Sequence, residues 1–99
     1  MAHEAADFDA TLAAAAGEDA ALLQELRAAF VESLVQQVDL LRRSRCDGNW
    51  KVAAMRLIDL GASFHAPELV RLGELALRGA PGEPGVLRRL ERFSAEFST

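Results

Sequence analysis

The chain has 99 residues, 51% of them hydrophobic, and its 11 basic and 15 acidic side chains leave a formal net charge of −4 at pH 7. That length suits one domain, residues 1–99, with a single core and little room for an elaborate catalytic cleft. The acidic balance gives no overall attraction toward nucleic-acid phosphates or anionic lipid. The longest uncharged apolar run, Leu12 to Ala16, is far shorter than the ~20 residues a membrane span needs. Acids at Glu4, Asp7 and Asp9 break the order of a secretory signal, and the lone Cys46 has no partner for an internal disulfide. A cytoplasmic protein with no nucleic-acid or membrane partner is the expectation.

Gly and Pro cluster at a few points and leave five helical segments between them. The first is expected from about Phe8 to Ala16, alanine-rich, capped by Asp7 and closed at Gly17. From about Asp19 to Arg45 no Gly or Pro intervenes, and Leu23, Leu26, Phe30, Leu34, Val38 and Leu41 recur at three- and four-residue intervals. That period predicts one long amphipathic helix. Its last turn carries Arg42, Arg43 and Arg45, which suit the negative end of the helix dipole. The cluster reads either as a solvated helix end or as a docking patch.

Asp47-Gly48-Asn49 is expected to stop this helix, with Asn49 capping the next. In the third segment, Trp50 to about Phe64, a turn of ~100° per residue gathers Trp50, Ala53, Ala54, Leu57, Gly61 and Phe64 on one inward face. Ala54 and Gly61 are small enough to admit a neighbouring helix closely. Ala66, with Pro67 at a first-turn position, opens a fourth helix that runs through Leu69, Leu72, Leu75 and Ala76 to Gly79. A turn at Ala80-Pro81-Gly82-Glu83-Pro84-Gly85 follows. Val86, Leu87, Leu90, Phe93 and Phe97 then line a final amphipathic helix with Arg88, Arg89, Glu91 and Arg92 outward. The expected class is all-α, an antiparallel bundle.

Chemistry-bearing residues are sparse. His3 and His65 are the only histidines, and no histidine pair or Cys/His cluster has zinc-ligand spacing, so neither a metal nor a cofactor is expected. Cys46 lies beside the arginines, but no histidine or second cysteine stands at a catalytic spacing. No catalytic residue is nominated. Met55 falls ~160° from Leu57 on the third helix, beside Lys51, Val52, Asp59 and Ala62, and is therefore expected to face outward.

The stretch from Ala54 to Leu69 resembles the signature helix of histidine-containing phosphotransfer (HPt) domains. That pattern is roughly A-H-x-L-K-G, five variable residues, then G-A-x-x-L, and Ala54, Leu57, Ala66 and Leu69 match it. Met55 stands where the family carries its phosphorylated histidine, Ile58 replaces a lysine, Asp59 a glycine and His65 a later glycine. The short first helix, long second helix and Asp47-Gly48-Asn49-Trp50 turn are similar in plan, so the resemblance spans nearly the whole chain.

The resemblance implies an antiparallel four-helix bundle of HPt type with an additional short N-terminal helix, working in two-component phosphorelay signalling. Phosphotransfer there needs an imidazole nucleophile, which a thioether does not supply. The implied protein is thus a non-enzymatic, degenerate member. It would bind a response-regulator receiver domain or a sensor histidine kinase through Lys51, Val52, Met55, Arg56, Ile58, Asp59 and Ala62. Ile58 also reads as a packing residue and Arg56 as a solvated flank. Two alternatives stay open: an active phosphotransfer protein using His65, and a helical dimerisation or scaffold domain whose Met55 patch is the self-interface. A monomer or a weak homodimer is the expected state.

Overall fold

Five stretches with one apolar face fold into five helices: α1 (His3–Ala16), α2 (Ala20–Arg43), α3 (Asp47–Ser63), α4 (Pro67–Arg78) and α5 (Pro84–Phe97). The computed structural model describes residues 3–97, with side chains from residue 6 onward, so those of His3 and Glu4 lie outside the described set. No strand occurs among the described residues.

The helix ends differ from the sequence expectation at four places, each for a local reason. α1 already runs from His3, which puts Asp7 inside the helix rather than at its cap. α2 starts after Asp19, whose carboxylate accepts a hydrogen bond from the Leu22 N–H at 3.0 Å. It stops at Arg43 instead of Arg45, because Ser44 turns into extended backbone, donates its N–H to Leu41 and donates its hydroxyl to the Leu40 carbonyl at 2.7 Å. Asp47-Gly48-Asn49 is the first turn of α3, not a connecting turn, and Asn49 caps nothing there. Cys46 takes the N-cap position without a side-chain bond, and Asp47 places a negative charge at the positive end of the helix dipole. Finally, Pro84 and Gly85 belong to α5: proline has no N–H to lose at a helix start, and Glu83 Oε1 accepts from the Gly85 N–H at 2.9 Å.

Each of α2, α3, α4 and α5 packs against two of the others, α2 and α4 both touching α3 and α5, while α1 lies on α2. At ~1.5 Å per residue the 24 residues of α2 reach ~36 Å, most of the 44 Å long axis. Phe30, Leu34, Leu41, Trp50, Leu57, Leu69 and Leu90 are fully buried between the helices. Burial of such side chains contributes roughly 1.5–3 kcal/mol apiece.

The two ends of this core are built differently. All five phenylalanines gather at one end, with Phe8 and Phe30 centroids 4.3 Å apart, Phe30 and Phe64 5.1 Å, and Phe93 and Phe97 5.1 Å. Arg27 ties that end together: its Nε donates to Asp9 of α1 at 2.9 Å, its Nη1 to the Phe97 carbonyl at 3.2 Å, and its guanidinium lies 5.7 Å over the Phe97 ring. At the other end stands Trp50, whose buried Nε1–H donates to the Ala76 carbonyl of α4 at 2.7 Å.

Between those ends α3 and α4 run antiparallel at close range. A Cβ on Gly61 would stand 2.9 Å from the Val70 backbone nitrogen, and one on Gly73 would stand 2.7 Å from Ile58 Cγ1 and 3.3 Å from the Ala54 carbonyl. The inward face anticipated for α3 is the one observed, with Trp50, Ala53, Ala54, Leu57 and Gly61 buried and Phe64 half-buried.

Candidate functional site

A helix that buries one face against α4 and α2 leaves a ridge between them facing solvent. On α3 that ridge carries Lys51, Val52, Met55, Asp59 and Ala62, all exposed, with Val52 at 50% and Met55 at 54% of full exposure. Two large apolar side chains this open on one helix are a local departure from a polar surface. They stand one turn apart, with a cation before them and a carboxylate after. The other two nominated residues sit on the flanks of the ridge. Ile58 is half-buried and turns toward α4, where its Cγ1 fills the space that the missing side chain of Gly73 leaves. Arg56 is exposed and turns toward α2.

The α2 flank is open where the α4 flank is closed. Two shallow hollows follow one another along it. The first, about 330 Å³, is lined by Leu40, Arg43, Ser44, Asn49, Val52, Ala53 and Arg56. The second, about 260 Å³, is lined by Ser33, Gln37, Arg56, Asp59, Leu60 and Ser63. Arg56 borders both, so a cation divides the groove. Leu40 adds a third exposed apolar side chain, 38% open, on the wall facing Val52. Beside the second hollow, Gln37 Oε1 is buried without a hydrogen-bond partner among the described residues, a position that ordinarily costs ~1–3 kcal/mol. Sequence reasoning did not nominate Gln37 or Leu40. The available signals were Gln37 as a polar residue on the edge of the Phe30–Leu34–Val38–Leu41 stripe, ~20° from Phe30, and Leu40 as an apolar residue well off it, in excess of what the core uses.

The arginines at the end of α2 are largely engaged by their own helix. Arg42 and Arg43 both donate to the Asp39 carboxylate, Arg43 Nε at 2.9 Å, and Arg45 Nη1 donates to the Arg42 carbonyl at 3.3 Å. The hydrogen bond from Arg42 is the main cause that holds the Asp39 carboxyl below its usual range. Arg42 also stands 3.9 Å from Glu91 of α5. Of the three, Arg43 lines the α2–α3 groove.

His65 lies elsewhere, ten residues from Met55 and so ~15 Å along the helix axis. The end of α3 is a Schellman motif: the Ala66 N–H bonds back to the Gly61 carbonyl at 2.7 Å and the His65 N–H to the Ala62 carbonyl at 3.3 Å. His65 occupies the left-handed position of that motif with a φ of 56°, a place that glycine fills most easily. Its backbone makes the turn that brings α4 back along α3, and its side chain is exposed.

The chemistry this arrangement offers is contact. Met55 presents a polarizable thioether with no protonatable nitrogen, and Asp59 sets a negative charge one turn away. Among the described residues no three His, Cys, Asp or Glu side chains converge as a metal site, and no helix is long and apolar enough to cross a membrane. Comparisons with protein-family models, with curated proteins and with solved structures find no match for this chain, and the reading of the site rests on its own residues.

Proposed function

We propose that this chain is a degenerate HPt protein, an antiparallel four-helix bundle of α2 to α5 with α1 added at its N-terminal side. It binds a response-regulator receiver domain, or the sensor kinase that serves it, without carrying phosphate. The observation that carries this reading is Met55: the position at which the sequence resemblance places the acceptor histidine is the outward midpoint of α3, half exposed, with Val52 beside it and an open groove toward α2. The protein then acts by occupancy. Holding a receiver through this face keeps a true phosphodonor away or favours one receiver conformation over another. Val52, Met55 and Leu40 supply the apolar centre of the contact, and Lys51, Arg56 and Asp59 its charged rim. Ile58 supports the face from below by packing on α4, and Ala62 extends it toward the helix end.

Capture of purified receiver domains on the immobilised protein tests the proposal. Met55→Glu, at a half-exposed site outside the buried core, is expected to abolish capture while the helical spectrum stays unchanged, and unchanged capture removes this face from the account. Incubation with an autophosphorylating kinase and radiolabelled ATP is the companion experiment. Acid-labile label that disappears in His65→Ala favours a working phosphotransfer protein instead. A stable dimer in light scattering that dissociates in Met55→Glu assigns the same ridge to self-association.

A further inference from the structure

The exposed ridge of α3 carries opposite charges symmetrically about Met55. Lys51 stands four residues before it and Asp59 four residues after, so at ~100° and ~1.5 Å per residue they lie ~40° to either side and ~6 Å toward either end. Both are exposed, and neither forms an ion pair within the described residues, where Asp9, Asp39 and Glu68 all do. Gly48 and Ala62, seven residues from Met55 on each side, are exposed and small, and nothing stands within 4 Å of a Cβ built on Gly48.

We propose that this ridge pairs with the same ridge of a second copy of the chain, α3 against α3 in antiparallel order about a two-fold axis at Met55, and that the pair masks the receiver-binding face. The inference rests on the receiver reading of that face. A two-fold contact must be self-complementary. The axis at Met55 sets Lys51 at the height of Asp59 of the second copy, and Asp59 at the height of that copy's Lys51, so one unpaired couple becomes two opposite-charge pairs. A parallel arrangement would instead set Lys51 against Lys51 and Asp59 against Asp59. Met55 then packs on its counterpart, and Gly48 falls opposite Ala62 at each end, which leaves the two backbones room to approach. Arg56, ~100° round the helix from Met55, turns toward α2 and so clear of its counterpart. A single helix ridge presents far fewer than the ~20–30 residues a side of a standard stable complex, and the net charge of −4 on each chain opposes association. The pair is therefore weak and reversible, and a receiver opens it by taking the same side chains.

Sedimentation equilibrium of the whole protein from about 10 μM to about 1 mM, the range of weak association, tests the proposal. Expected is a monomer–dimer equilibrium that weakens about fivefold or more in Lys51→Asp and in Asp59→Lys, and that recovers in the double variant Lys51→Asp/Asp59→Lys, which restores opposite charges across the axis. Both positions are exposed, and an unchanged helical spectrum confirms that the variants fold. Adding a receiver domain that the protein captures is expected to convert the pair into complexes of one chain and one receiver. A chain that stays monomeric throughout, single variants that associate like the parent, a double variant that does not recover, or a receiver complex that still holds two copies overturns the masking pair while capture itself stands. Association with the expected charge pattern but without capture of any receiver overturns the receiver reading, and the masking with it.

Discussion

The two flanks of α3 are opposites. Toward α4 both helices have given up side chains: Gly61 of α3 and Gly73 of α4 let backbone approach backbone, and the ring nitrogen of Trp50 closes the far end of the seam on the Ala76 carbonyl. Toward α2 the same helix keeps Arg56 and Val52, and hollows remain between them and Leu40, Gln37 and Arg43. Close packing on one side fixes where α3 lies, since an interior at native density transmits any added atom as strain. Space on the other side leaves the ridge free to vary. A substitution at position 55 is therefore expected to leave the fold untouched, because Met55 is half exposed and stands outside the buried core.

The seam is where substitution is expected to do most damage. Trp50→Ala empties a fully buried site and takes the indole donor from the Ala76 carbonyl, which keeps the Gly79 N–H, at a cost of about 4 kcal/mol. Urea unfolding checks it, and a loss under 1 kcal/mol would show that the seam does not depend on its aromatic end. Next comes a pair of identical changes on one helix with opposite expected signs. Gly61→Ala forces a methyl group to within 2.9 Å of the Val70 nitrogen, which is expected to cost about 1–2 kcal/mol even after the better helix propensity of alanine is credited. Gly48→Ala meets nothing within 4 Å in the first turn of α3 and is expected to stabilise by about 0.5–1 kcal/mol. Equal signs for the two would mean that propensity, not packing, decides the behaviour of α3.

Much of this contrast was legible in the sequence, and the remainder fails for identifiable reasons. The inward face of α3 was readable because large and small apolar residues repeat together at helical spacing, and Gly61 fell on that face. Gly73 carried no such signal: its smallness has meaning only opposite Ile58, and that pairing is set by how two helices align. The same alignment turns Ile58 toward α4, which its position at the edge of the apolar face left open. Asp47-Gly48-Asn49 looked like a turn because those residue types favour turns, but they are also compatible with a helix's first turn, and Cys46 at the N-cap announces nothing. Ser44 ends α2 through a hydroxyl bond to Leu40, an event that no period encodes. Within the site, Met55 and Val52 were placed outward by geometry alone. Leu40 and Gln37 were missed because α2 joins the groove only through its distance from α3.

The turn that starts the seam gives a smaller and sharper test. His65 holds the left-handed position of the Schellman motif with a side chain that disfavours it. His65→Gly relieves that strain, offset in part by the greater freedom of glycine in the unfolded chain, and is expected to stabilise by about 0.5–1 kcal/mol. For a domain of this size a change near 1 kcal/mol raises the melting temperature by about 4–8 °C. A loss of stability instead would mean that the His65 side chain makes a contact worth more than the strain.

The smallest expected effect belongs to the ridge, and its smallness is the point. Met55→Glu and Val52→Asp replace side chains that are half in solvent already. Surface changes away from caps and buried networks stay within about 0.5 kcal/mol. Each variant is expected to unfold at the urea concentration of the parent chain within that margin, while Trp50→Ala and Gly61→Ala do not. A ridge variant that loses 2 kcal/mol or more would mean that Met55 or Val52 holds the bundle together. The open flank of α3 would then be part of the framework, and the case for a free binding face would go with it.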